Sequence, residues 1–136
     1  MPIPTQLQAD RRKYLRSQKI TEDNDCTVIA LAITAGVSYG KAHETLRRLG
    51  RRRGRGVNFR KVMKEAYAEH GCEAVQVSAM NYTGRTTKTL KLPREDKYLV
   101  FTYAHVLAVQ FGLVKDWSHN RNKRIKTVWR IRKVNQ

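Results

Sequence analysis

The sequence predicts an α+β domain in which helices come first and a mostly antiparallel sheet follows. Three observations predict it. Helical apolar spacing dominates up to Gly71, then gives way to alternation broken by short turns. One early segment, "CTVIALAITA", is apolar all round and reads as a buried helix. The chain has 136 residues, 40% of them hydrophobic, which suits one domain with a modest core rather than a disordered polyelectrolyte.

Residues 1–20 read as a basic, weakly structured arm carrying Arg11, Arg12, Lys13, Arg16 and Lys19. The stretch "ADRRKYLRSQ" contains no breaker and permits a short helix. The domain proper is expected over residues 21–136. Its first helix should start at Asp25 or Cys26 and stop at Gly36. A second follows in "VSYGKAHETLRRLG", with Ser38 as N-cap and Tyr39, Ala42, Leu46 and Leu49 facing inward. "RRRGRG" is a loop. "VNFRKVMKEAYAEHG" is a third helix, capped by Asn58, with Phe59, Val62, Met63, Ala66 and Tyr67 on its buried side.

After Gly71 the period becomes two. "CEAVQVSAM" alternates like a strand, and "NYTGRTTKTLKLPRED" is polar and turn-rich. "KYLVFTYA", "HVLAVQFG", "LVKDWS" and "KTVWRIRK" read as four further strands, the middle two forming a hairpin that turns near "QFG". No internal repeat is visible.

Composition excludes several classes. No apolar run reaches the length of about 18 residues that spans a bilayer. The N-terminal stretch lacks the apolar region of a signal peptide, so a cytoplasmic protein, or one packaged from a cytoplasm, is expected. Cys26 and Cys72 are the only cysteines and give no disulfide framework. "EHGC" offers His70 and Cys72, but that spacing matches no standard zinc pattern. No metal or cofactor is expected.

Charge is the dominant compositional feature. Lys and Arg number 28 against 11 Asp and Glu, a net charge of +17. Self-repulsion on that scale is normally offset by a polyanion: nucleic acid, an acidic protein or a membrane surface. The candidate phosphate contacts are Arg47, Arg48, Arg51, Arg52, Arg53 and Arg55, then Arg121, Lys123, Arg124 and Lys126. No recognition helix accompanies them, so the binding expected is non-specific and salt-sensitive.

A second chemistry starts at Cys26. The thiolate is the attacking form of cysteine, and a helix N-terminus or a neighbouring imidazolium favours it. "TEDNDC" places Cys26 on the first turn of a buried helix, where unpaired backbone N–H groups point. Those groups also suit an oxyanion. The partner required is a histidine. His43 is expected at the surface or half-buried, His70 ends the third helix, and His119 lies in a basic turn. His105 opens the strand "HVLAV" and shares a face with Leu107 and Val109. A hairpin at "QFG" brings Asp116 back beside it, at a cross-strand spacing of about 5 Å.

"DNDCTVIALAITAGVSYGKAHETLRRLGR" followed by "HVLAVQFGLVKDW" resembles the papain-like cysteine peptidase fold. It is most similar to small phage and bacterial proteins related to the bacteriocin-processing leader peptidases. The resemblance covers about residues 18–118. It implies a papain-like α+β domain with Cys26 as nucleophile, His105 as general base and acid, and Asp116 as the residue that orients the imidazole. It also implies a peptide or protein substrate, and location in a host cytoplasm or a virion if the chain is phage-encoded. That family completes its oxyanion hole with a glutamine shortly before the cysteine. Here the amides available are Gln18, eight residues upstream, and Asn24. The function expected is a small cysteine hydrolase, peptidase- or amidase-like. The alternative is a nucleic-acid-binding or virion/host-interaction protein on the same scaffold without catalysis.

Overall fold

The computed structural model describes residues 3–52, 54, 62–103, 105–115 and 123–134. The chain opens with a helix, α1, at Thr5–Gln18. This corrects the expectation of a weakly structured arm. Ile3, Leu7 and Leu15 are buried in the same core as the later helices, and Tyr14 packs against that core. Each buried aliphatic side chain contributes about 1.5–3 kcal/mol relative to exposure, enough to hold a charged helix on the domain. The segment ends at Lys19 in the left-handed conformation.

α2, Cys26–Ala35, is the central helix, and every residue after Cys26 is buried. Gly36 terminates it at a φ of 70°, where glycine carries no Cβ penalty, and its N–H closes on Ala32 O. α3, Tyr39–Arg48, starts at Ser38, whose hydroxyl accepts from the Lys41 N–H at 3.2 Å. α4 is Lys64–Glu69, with Met63, Ala66 and Tyr67 fully buried. Asn58 and Phe59 lie outside the described residues.

Five strands follow among the described residues: β1 Cys72–Gln76, β2 Lys97–Thr102, β3 Val106–Gln110, β4 Leu113–Lys115 and β5 Ile125–Lys133. They form one sheet in the order β1-β5-β2-β3-β4, with every pairing antiparallel. The β3–β4 turn is two residues, Phe111 and Gly112, both at positive φ (56° and 74°). That geometry matches the twist of a tight hairpin and agrees with the turn read at "QFG".

The sheet separates two apolar layers, as strand alternation requires. Leu99, Val106, Ala108 and Ile131 pack with α2 and its neighbours. Tyr98, Val100, Leu107, Val109 and Val128 pack on the other face, with Leu92 and the half-buried Val77, Tyr82 and Leu90. The polar segment between β1 and β2 therefore covers one side of the sheet. It is tied by a bridge between Thr83 and Lys91 and another between Thr86 and Arg124. No helix among the described residues is long and apolar enough to cross a membrane.

Candidate functional site

Cys26 occupies the first position of α2 as a half-buried free thiol. The turn before it is held by buried polar contacts. Asp25 precedes the helix without capping it by its side chain. Its carboxylate turns instead to Arg11 Nε at 2.8 Å and the Tyr39 hydroxyl at 2.7 Å. Burial, and then the Asp25 charge, push the Tyr39 hydroxyl far above the usual phenol range, so it stays protonated and donates. The first-turn N–H groups of α2 gain no side-chain acceptor from Asp25. They are the feature an oxyanion would use.

Asn24 sits at a φ of 52°, a conformation asparagine tolerates better than most residues. Its side-chain amide donates to Gly54 O at 3.3 Å. Gln18 is exposed at the end of α1. It lines a pocket of about 320 Å³ with Tyr14, Ile20, His43, Arg47 and Arg51; Cys26 is not part of that lining.

The far end of α2 fixes its direction. Lys133 Nζ donates to Ala35 O at 2.9 Å, and a Cβ on Gly36 would lie 3.6 Å from Lys97 Nζ. Lys97 pairs with Ile131, so both lysines mark one end of the sheet. α2 is about 15 Å long at 1.5 Å per residue, close to the span of β2. Its N-terminus, with Cys26, therefore points toward the opposite end, where β2 turns into β3. His105 lies in that turn. Its carbonyl accepts from Thr102 N–H at 2.8 Å and from the Thr102 hydroxyl at 3.1 Å.

The hairpin register also limits the arrangement. Phe101 pairs with Val106 on the α2 side, so alternation carries Thr102 and His105 to the side of Val100 and Leu107. An imidazole acting on Cys26 has to reach past the hairpin tip. The strand itself begins at Val106, one residue later than expected. Asp116 lies outside the described residues.

The sequence did not single out the cluster beside Cys26. The Glu22 side chain is completely buried, and each carboxylate oxygen accepts two hydrogen bonds. Oε2 accepts from Arg51 at 2.7 Å and from His43 Nε2 at 2.7 Å. Oε1 accepts from Arg51 at 3.1 Å and from the Gly54 N–H at 3.0 Å. Burial alone would raise the carboxyl, but the Arg51, Gly54 and His43 hydrogen bonds outweigh it and hold it below its ordinary value. With all four acceptor directions filled, Glu22 is a structural tie. His43 is committed too, since its Nδ1 lies 3.3 Å from the Tyr14 hydroxyl. His43 is buried, not at the surface. It follows Tyr39 by four residues on the inward stripe of α3, and that spacing was the available signal.

The basic candidates separate on the same grounds. Arg51 is corrected from a phosphate contact to a core residue, because its side chain is only 2% exposed and bound to Glu22. Arg48 is exposed but forms a two-pronged pair with Glu69 at 2.6 and 3.1 Å. Arg47, Arg52, Arg124 and Lys126 are exposed, and Lys123 is half-buried. Arg53, Arg55 and Arg121 lie outside the described residues. Among those described, no group of three His, Cys, Asp or Glu side chains comes together to hold a metal ion.

No family model, curated protein or solved structure matches the chain.

Proposed function

We propose that the chain is a small cysteine hydrolase on a papain-like scaffold, acting on a peptide or other amide. The observation that carries the reading is the placement of Cys26. It is a half-buried free thiol at the first position of a buried helix, with first-turn N–H groups that Asp25 does not cap, and the sequence resemblance assigns His105 as its partner. The Cys26 sulfur attacks the carbonyl carbon, and the carbon–sulfur bond forms while His105 holds the thiol proton. First-turn N–H groups of α2 take the oxyanion. The carbon–nitrogen bond then breaks, and the amine leaves with the proton from His105. Water, deprotonated by His105, opens the thioester and returns the free thiol. Asp116 orients the imidazole.

An activated ester tests this. p-Nitrophenyl acetate should give a burst of nitrophenol and a single acetyl adduct on Cys26 by mass spectrometry, with neither seen in Cys26→Ala. A burst that survives Cys26→Ala, or no adduct at Cys26, would contradict it.

A further inference from the structure

The face of the sheet away from α2 carries cations that the hydrolase reading does not use. A pocket of about 730 Å³ lies where the polar segment meets the start of β5, lined by Ala79, Tyr82, Gly84, Arg85, Thr86, Arg124 and Ile125. Its backbone is built, not draped. Ile125 N–H donates to Arg85 O at 2.8 Å, and Thr87 N–H donates to Lys123 O at 2.8 Å. The Lys123 N–H returns to the Thr87 hydroxyl at 3.0 Å. Arg85 and Arg124 are both exposed, and among the described residues neither meets a carboxylate.

The two segments that meet here, residues 77–92 and 123–134, contain no Asp or Glu. They contain Arg85, Arg124, Arg130 and Arg132 with Lys88, Lys91, Lys123, Lys126 and Lys133, and of these Arg132 is held by Asp96 from outside the two segments. Like charges in such excess over acids are costly unless a polyanion covers them. An aromatic ring stands beside them. Tyr103 is 76% exposed, and Lys126 Nζ lies 6.0 Å from its ring centre. Tyr103 follows Thr102, which pairs with Ile125 of the pocket wall. An exposed ring beside a lysine, one residue past the strand that borders a pocket lined by two arginines, is suited to bind unpaired bases by stacking and their phosphates by charge.

We propose that this pocket and Tyr103 form a binding site for single-stranded nucleic acid. Arg85 and Arg124 take backbone phosphates, and Tyr103 stacks a base. The site does not depend on Cys26 chemistry. The pocket volume falls in the range that holds a nucleotide-sized ligand.

The test is fluorescence anisotropy of a labelled oligothymidylate of about 20 nucleotides with the full chain, over a salt series. Arg85→Glu with Arg124→Glu should weaken binding at least about tenfold and reduce the log–log salt slope by about 1.4, the value for two single-strand phosphate contacts. Tyr103→Ala should weaken it by about fivefold or more. Arg12→Glu with Arg16→Glu, the same charge change on the exposed face of α1, should cost far less. All four arginines are exposed, so the variants should keep the wild-type circular dichroism. Equal losses from the two arginine pairs would overturn the site in favour of net charge. A duplex binding as tightly as the single strand, with Tyr103→Ala unchanged, would overturn it as well.

Discussion

Replacing Glu22 by Gln tests the cluster that fixes the start of α2. The carboxylate is fully buried and Arg51 is 2% exposed, so solvent cannot take over for either partner. Each oxygen accepts one Arg51 bond and one other, from His43 or the Gly54 N–H. Glutamine sets an NH2 donor against two of those donors and leaves the guanidinium charge uncompensated. Breaking a buried pair from one side costs about 3–5 kcal/mol, a large share of the roughly 5–15 kcal/mol that holds a domain folded. At a urea slope of about 2 kcal/mol/M, the midpoint should fall by about 2 M. Urea unfolding followed by circular dichroism near neutral pH measures it. Glu22→Leu combined with Arg51→Met should be less damaging than either single change, because no buried charge is left unpaired. A Glu22→Gln chain within about 1 kcal/mol of wild type would refute the reasoning. The cluster also bears on Cys26. Arg11, which holds Asp25, donates a second bond to Glu22 O at 3.0 Å.

The other predictions concern the core, the covering segment and acid stability. Tyr67 and Thr34 share a buried hydroxyl pair at 2.7 Å, and Thr34 also donates to Ala30 O at 2.7 Å. Thr34→Val strands the Tyr67 hydroxyl and should cost about 1–3 kcal/mol, whereas Tyr67→Phe should cost about 1 kcal/mol or less; the reverse order in urea would count against this pairing. A Cβ on Gly84 would lie 2.2 Å from the backbone oxygen of Thr89 at a φ of 99°, so Gly84→Ala should speed hydrogen exchange at the Leu90 amide, which unchanged exchange would contradict. Glu22 is held below its ordinary value of 4.5 in the fold, so its contribution is complete above that pH and is lost as pH falls through the folded value. Wild-type stability should therefore drop in acid more steeply than that of Glu22→Gln, and parallel curves would contradict the assignment.

Much of the fold is legible in the sequence because single residues decide it. The apolar run after Asp25 can only be buried, Gly36 ends it, Ser38 caps the next helix, and "QFG" sets the hairpin. α1 is harder to see, since its four basic residues outnumber its three core contacts, although Leu7, Arg11, Tyr14 and Leu15 already follow helical spacing. Arg51 could not have been separated from its neighbours. In "RRRGRG" every arginine reads alike, and only the fold brings Glu22 to one of them. The candidate site divides in the same way. The position of Cys26 on its helix follows from local sequence, but the side of the hairpin that His105 faces follows from register with Thr102, which local sequence does not determine.

The central claim is that His105 activates Cys26, and alkylation kinetics test it directly. In a Cys72→Ser chain, the rate constant for iodoacetamide at Cys26 near neutral pH would be measured with His105 intact and with His105→Ala. The account predicts reaction about tenfold or more faster than glutathione, falling to the glutathione rate or below in the variant. A Cys26 rate unchanged by His105→Ala would contradict it.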